Sequence, residues 1–213
     1  MERLFEDPKA ENIKEAKKGI SEIVALILSD DGTSQELLRI TEYDYDTYTH
    51  SVNVGVFSLM LAKSLFKGSD SHNMDELGAG FFLHDIGKVR IDSAIINKPG
   101  KLTEDEMRSI RTHPFQGYNL LKEAGQLTEE SRVIVMQHHE REDGSGYPRR
   151  LKGNSIHTYS RICCIADVYE ALTANRPYKR PINTFEALKL MKNEMLNHFH
   201  QELFEKFVRL FSF

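Results

Sequence analysis

The stretch YTHSVNVGVFSLMLAKSLF, residues 48–66, decides the class of fold. It reads as about five turns of mostly apolar helix, and the turn-forming KGSDSHN after it ends the run. Working outward, the helical period persists on both sides. Upstream, Ile13, Ala16, Ile20, Ile23, Val24 and Ile27 recur at helical spacing until SDDGTS stops them, and a short helix is expected over Gln35–Thr41. Downstream, Asp75–His84 reads as a buried helix whose Gly78, Ala79 and Gly80 allow close packing. Thr103 and Glu106 form a capping box for a helix running into Arg111. Pro114 disfavours helical backbone at His113, so a break is expected there. Further helices are expected from Thr128 to the His138-His139 pair and over Ser160–Ala174, Thr184–Asn197 and Glu202–Phe211. No segment alternates with period two, and there is no repeat, low-complexity tract or long linker. The expectation is an all-α protein: a helical N-terminal segment over 1–45 and one domain over 46–213.

With 213 residues, 40% of them hydrophobic, the chain can bury a proper core. A net charge of −4 and a pI of about 6.1 argue against broad adhesion to duplex nucleic acid or to a membrane, while local basic residues leave room for a small anionic ligand. The charged start MERLFEDPKAENIKEAKKG lacks the apolar core of a signal peptide, and the apolar windows are too short to span a bilayer. A cytoplasmic protein is expected. Cys163 and Cys164 are adjacent in RICCIADVYEAL, which excludes a disulfide scaffold and predicts buried, reduced thiols.

The chemistry lies in scattered histidines and aspartates. His50 sits early in its helix with Asp46 one turn before it, and His84-Asp85 precedes Ile86-Gly87-Lys88. His113 precedes Pro114, His138-His139 end a helix, and Asp167 interrupts a mostly apolar stretch. A buried carboxylate without a partner costs several kcal/mol, and a metal ion is one natural partner. Imidazole and carboxylate without thiolate suit Fe, Mn, Zn, Co or Ni rather than a structural zinc cage. The five histidines with Asp85 and Asp167 make seven ligands, more than one ion with an open position can use. They suit two ions about 3.5–4 Å apart, with Asp85 as a bridge. Neighbouring residues on a regular helix point about 100° apart. His138 and His139 can therefore both reach an ion only if the backbone leaves the helix, and Gly144 and Gly146 in QHHEREDGSGYP permit that turn.

HDIGK (84–88), KPGKLTEDE…HPFQG (98–117), HHEREDGSGYP (138–148) and RICCIADVYEALTANRPYK (161–179) together resemble the HD-GYP family, a branch of the HD phosphohydrolases, over about residues 46–182. The resemblance implies an HD-domain helical bundle with a multi-metal centre in its core. It also implies hydrolysis of the bacterial messenger cyclic di-GMP to linear pGpG or GMP, with two divalent ions, iron or manganese, and a third in some members. Carried over by position, His50, His84, Asp85 and Asp167 would hold one ion and Asp85, His113, His138 and His139 the second. Asp46 stands where some members place a Glu for a third ion; the alternative for Asp46 is an N-cap. Lys88, with Asp85, matches the family's catalytic position near the phosphate, with neutralisation of Asp85 as its alternative. Arg176 and Lys179 resemble ligand contacts, with surface ion pairing as the alternative. Glu170, where the family usually has Asp, is assigned to the guanine-binding region. Other departures are Arg90, Asp92, His157, His200 and Gln201.

In the loop that contains Gly146, Tyr147 and Pro148, Asp143 is expected to orient His138 or His139, Tyr147 to pack under the loop, with a protein-contact surface as its alternative, and Glu140 and Glu142 to face water. His72 and His198 are read as solvated. A protein partner could dock on this Gly-Tyr-Pro loop, and a homodimer is also expected. Two alternatives stand beside the leading function. One is a hydrolase of another cyclic dinucleotide such as cyclic GMP-AMP. The other is a weakly active module that binds cyclic dinucleotides for signalling.

Overall fold

The computed structural model describes residues 2–29, 47–175 and 181–211. Among them every regular element is helical: α1 Glu2–Glu6, α2 Ala10–Ser29, α3 Thr47–Leu65, α4 Met74–Phe82, α5 Ser93–Ile96, α6 Glu104–Ile110, α7 His113–Ala124, α8 Glu129–Gln137, α9 Thr158–Thr173, α10 Thr184–Glu194 and α11 Gln201–Arg209, with short 3₁₀ turns between some of them. The all-α expectation holds. The helix expected at Gln35–Thr41 lies outside the described residues, as do Asp46, Arg176 and Lys179.

Helix α3 sits at the centre, packed on α4 and α9, while α8 packs on α4 and α7 and α2 lies against α4. The apolar stripe of α2 buries Ile13, Ile20, Val24 and Ile27 in the same core as α3 and α4. Each such burial contributes about 1.5–3 kcal/mol. At the far end, Phe57 of α3, Tyr169 of α9 and Phe207 of α11 meet edge to face, with Phe57 and Tyr169 centroids 5.1 Å apart and Tyr169 and Phe207 5.3 Å apart. These rings tie the last helix to the bundle.

Helix ends follow the capping chemistry. Thr103 accepts from the Glu106 amide at 3.3 Å, and its own amide donates to Glu106 at 2.7 Å, completing the expected capping box. Asn73 and Thr128 cap α4 and α8 in the same sense. Pro114 stands in the first turn of α7, where a missing N–H costs no helical bond, so the expected break falls between Ile110 and His113. Helix α4 stops at Phe82, two residues earlier than the periodicity suggests. Leu83–Asp85 form a turn and Ile86–Arg90 a 3₁₀ helix.

Candidate metal centre

Four helix ends and one helix interior deliver the polar cluster. His50 comes from the first turn of α3 and Asp167 from α9. His84 and Asp85 come from the turn after α4, His113 from the start of α7, and His138 and His139 from the end of α8. His138 is the last residue with helical backbone before the chain turns away. This turn brings two adjacent rings, which a regular helix would splay, to a centroid separation of 4.1 Å.

Gly87 sets the approach of α7. A Cβ there would lie 1.9 Å from the His113 carbonyl oxygen and 2.5 Å from the Gly117 nitrogen. Only a residue without a side chain lets the His84–Gly87 turn lie flat on the first turn of α7. That contact puts His113 Nε2 3.1 Å from Asp85 Oδ1.

The hydrogen bonds determine which nitrogens face inward. Nδ1 of His84, His113 and His138 each meets the carbonyl oxygen three residues back, at 2.9, 2.8 and 2.9 Å. A carbonyl can only accept, so each Nδ1 carries the proton and each Nε2 is a bare lone pair. These Nε2 atoms converge on one carboxylate. His84 Nε2 lies 3.6 Å from Asp85 Oδ2, and His138 Nε2 lies 3.7 Å from Asp85 Oδ1. His113 Nε2 and His138 Nε2 are 3.2 Å from each other. His84 Nε2 and Asp85 Oδ1 are buried with no hydrogen-bond partner. Acceptor facing acceptor in a buried site calls for a cation, and the donor set fits a divalent one.

Two overlapping groups can each hold an ion: His50, His84 and Asp85, and Asp85, His113, His138 and His139. The ligand atoms within each group lie within 4.8 Å of one another. Asp85 belongs to both. Asp167 adds a second link, with Oδ1 3.4 Å from His50 Nε2 and Oδ2 3.6 Å from His139 Nδ1.

The electrostatics fit this arrangement. Burial holds His84 neutral, with its pKa down at about 3. Burial also lowers His113 and His139. Burial works against the charge on Asp85, but Lys88 and the surrounding imidazoles prevail and hold its carboxyl well below the usual range. Asp167 is lowered likewise, by His50 and His139 against burial. His50 is raised well above its ordinary value because three carboxylates, Asp167, Asp85 and Glu170, outweigh its burial.

Several expectations change. Glu170, assigned from sequence to the guanine region, is buried in α9 and its carboxylate meets His50 Nδ1. Lys88 reaches Asp85 directly, which is its neutralising alternative. Asp143 does not approach His138 or His139; it accepts from the Ser145 amide and from Asn197 Nδ2 and lies beside His198. Glu140, expected in water, is 2% exposed, and Glu142 pairs with Arg161 at 2.7 Å. His72 is stacked on Phe66 at 3.7 Å instead of lying free in water. Tyr147 lies over His139 with centroids 4.6 Å apart, Gly146 is buried beneath the turn, and Pro148 is exposed at its edge. The thiols of Cys163 and Cys164 are buried as expected, and burial pushes Cys164 up to about 12. The roles of Glu140 and Glu170 are not legible in the sequence. A charged residue beside the histidine pair, in a turn whose amides lack helical partners, was the only signal for Glu140.

Fold and donor set together define a helical protein built around a histidine–aspartate centre suited to divalent metal. The chain belongs to the HD domain family, whose model matches residues 48–203. Among curated relatives, it is 37% identical over 190 residues to cyclic di-GMP phosphodiesterase PA4108 of Pseudomonas aeruginosa, covering 89% of this chain and 45% of that protein. It is also 35% identical over 205 residues to 3'3'-cGAMP-specific phosphodiesterase 1 of Vibrio cholerae, covering 92% of this chain and 43% of that one. The chain thus spans less than half the length of these relatives. Among solved structures, Bd1817, a HDG"Y"P protein from Bdellovibrio bacteriovorus, superposes with a TM-score of 0.81 at 20% identity, over 100% of this chain and 68% of that one. The PgpH HD domain of L. monocytogenes, solved in complex with cyclic-di-AMP, gives 0.55 at 20% identity, over 77% of this chain and 87% of that one. These likenesses bear out the fold, and the resemblance to the HD-GYP branch stands.

Proposed function

We propose that this chain is a metal-dependent phosphodiesterase that opens cyclic di-GMP to linear pGpG, with a further cut to GMP. The observation that carries the proposal is Asp85, one carboxylate shared by two groups of inward-facing imidazole nitrogens. The names of the relatives support the substrate class. Two divalent ions, manganese or iron, fit the ligands His50, His84, Asp85, His113, His138, His139 and Asp167; a third would call on Asp46. When bound, such ions lower the pKa of water enough to supply hydroxide near neutral pH and offset charge on phosphoryl oxygens. The chain's own residues position the reaction. Asp85 and Asp167 fix the spacing of the two imidazole groups, and the Lys88 ammonium, held at Asp85, places a positive charge beside the phosphoryl group as negative charge builds in the transition state. Arg176 and Lys179 are proposed as contacts to the guanine edge or the phosphates.

Residues 1–45 are proposed as a helical extension of the domain, and the protein as cytoplasmic; no helix among the described residues is long and apolar enough to cross a membrane. The Gly146-Tyr147-Pro148 loop, with Pro148 exposed at its edge, is proposed to offer a partner surface, and a homodimer is part of the same proposal.

The test is chromatography of products from cyclic di-GMP incubated with the manganese- or iron-loaded protein. Linear pGpG should appear, and His84→Ala and Asp85→Ala should each abolish it. Turnover unchanged in both variants would overturn the reading. A second reading, preference for cyclic GMP-AMP, is favoured by the Vibrio relative. Parallel turnover of the two dinucleotides separates them.

A further inference from the structure

Four of the five imidazoles have a polar clamp on the nitrogen that faces away from the centre. His84, His113 and His138 use main-chain carbonyls, and His50 uses Glu170. His139 is held differently. Its side chain is 24% exposed, and the Tyr147 ring covers it at 4.6 Å with 30° between planes. Tyr147 also stands 6.4 Å from His113, and the Arg111 guanidinium lies 5.5 Å from the Tyr147 ring centre. The position of His139 therefore depends on what holds Tyr147.

The loop that carries Tyr147 is tied at its base by one carboxylate. Glu140 is 2% exposed. One of its oxygens accepts from the Arg149 amide at 2.7 Å and the other from the Leu151 amide at 2.8 Å. Both oxygens are thus committed to amides nine and eleven residues away. Between them the chain folds back on itself. The Tyr147 amide donates to the His139 carbonyl at 3.1 Å, and a Cβ on Gly146 would fall 2.4 Å from that same oxygen. A buried carboxylate that satisfies two otherwise orphan amides forms strong charge-assisted bonds, and loss of it strands both donors.

We propose that Glu140 is a positioning residue of the metal centre. By tying residues 149 and 151 back to the histidine pair, it sets Tyr147 against His139 and so fixes that ring for the ion it shares with Asp85, His113 and His138. This inference rests on the metal-centre reading of the preceding section.

The test is calorimetric titration of chelator-stripped protein with Mn²⁺. Wild type is compared with Glu140→Gln, Glu140→Ala, Tyr147→Ala and the double variant Glu140→Gln/Tyr147→Ala. Loss of a supporting partner of a metal ligand weakens binding about 10–100-fold. A loss of that size is expected for one of the two ions in each single variant, while the other ion keeps its affinity. The double variant should bind no more weakly than the worse single one, because both act on His139 by one route. Hydrogen exchange should also show the Arg149 and Leu151 amides losing protection in the Glu140 variants, with the α3 and α4 amides unchanged. Wild-type Mn²⁺ affinity in folded Glu140 variants, or in Tyr147→Ala, would overturn the proposal, as would losses that multiply in the double variant. If Glu140→Ala fails to fold, Glu140→Gln and Tyr147→Ala decide. Wild-type protein that takes up no Mn²⁺ would instead overturn the metal reading and this inference with it.

Discussion

His50 is held from both sides. Nε2 lies 3.4 Å from both Asp85 Oδ2 and Asp167 Oδ1, and Nδ1 meets Glu170. A carboxylate behind a ligating imidazole fixes its tautomer and raises its basicity. Glu170→Ala should therefore weaken binding of the ion nearest His50 by about 10–100-fold, read by Mn²⁺ titration. Glu170→Gln, which keeps an accepting oxygen, should lose less. Because this side chain is buried against the ring, neither change should alter the ratio of cyclic di-GMP to cyclic GMP-AMP turnover. A shifted ratio with intact metal binding would return Glu170 to the substrate side. The resemblance to the HD-GYP family marks this residue as a departure and points it at the guanine. One turn of α9 separates it from Asp167, and only the packing of α9 on α3 shows that both carboxylates serve the same imidazole.

At the scale of elements, the centre is an assembly of helix ends, and close backbone approach sets its dimensions. Gly87 is the tightest example. Replacing it with Ala puts a methyl carbon 1.9 Å from a main-chain oxygen, and main chain cannot swing aside as a flexible side chain can. Helix α7 would have to back away from the His84–Gly87 turn, carrying His113 with it. Overpacking of this kind costs about 1–3 kcal/mol or more. Gly87→Ala should lower the urea midpoint accordingly and weaken the His113 ion; a midpoint within error of wild type would mean that α7 can slide at little cost. The helices themselves were legible because apolar residues at helical spacing report a buried face directly, as in α2 and α3. The capping box at Thr103 was legible because its partners lie three residues apart. The end of α4 was misplaced by two residues because Leu83 and His84 are as buried in a turn as they would be in a helix. The Glu140 tie was invisible because nothing periodic links a carboxylate to amides nine and eleven residues on, and Asp143, the nearer acid, proved to serve Ser145 and Asn197 instead.

The whole molecule gathers its imidazoles at one buried point, and this makes its stability a function of pH. Burial depresses His84, to about 3, and lowers His113 and His139. A group whose folded pKa lies below its unfolded value stabilises the fold above the unfolded value and loses that contribution as pH falls toward the folded one. Below the ordinary value of 6.5, the unfolded chain therefore takes up protons at His84 that the folded chain refuses, down to about pH 3. Each such group costs up to about 1.4 kcal/mol per pH unit across its window. His50 has the opposite sign. Its folded pKa is raised, so its contribution is complete below 6.5 and fades as pH climbs through the folded value. Asp85 and Asp167, both depressed, add their loss only below the ordinary 3.8. Chelator-treated protein should thus melt at its highest temperature near pH 6–7 and lose stability steadily from there to pH 4, before the carboxylates begin to protonate. Mn²⁺ should raise the melting temperature most at neutral pH and progressively less in acid, because each ligating imidazole must be free of its inward proton. Melting curves at unit pH intervals, with chelator and with Mn²⁺, decide the matter. A chelated protein whose melting point holds level or rises between pH 6 and pH 4 would show that the buried rings accept protons freely, which a site shaped to keep its lone pairs for metal should not allow.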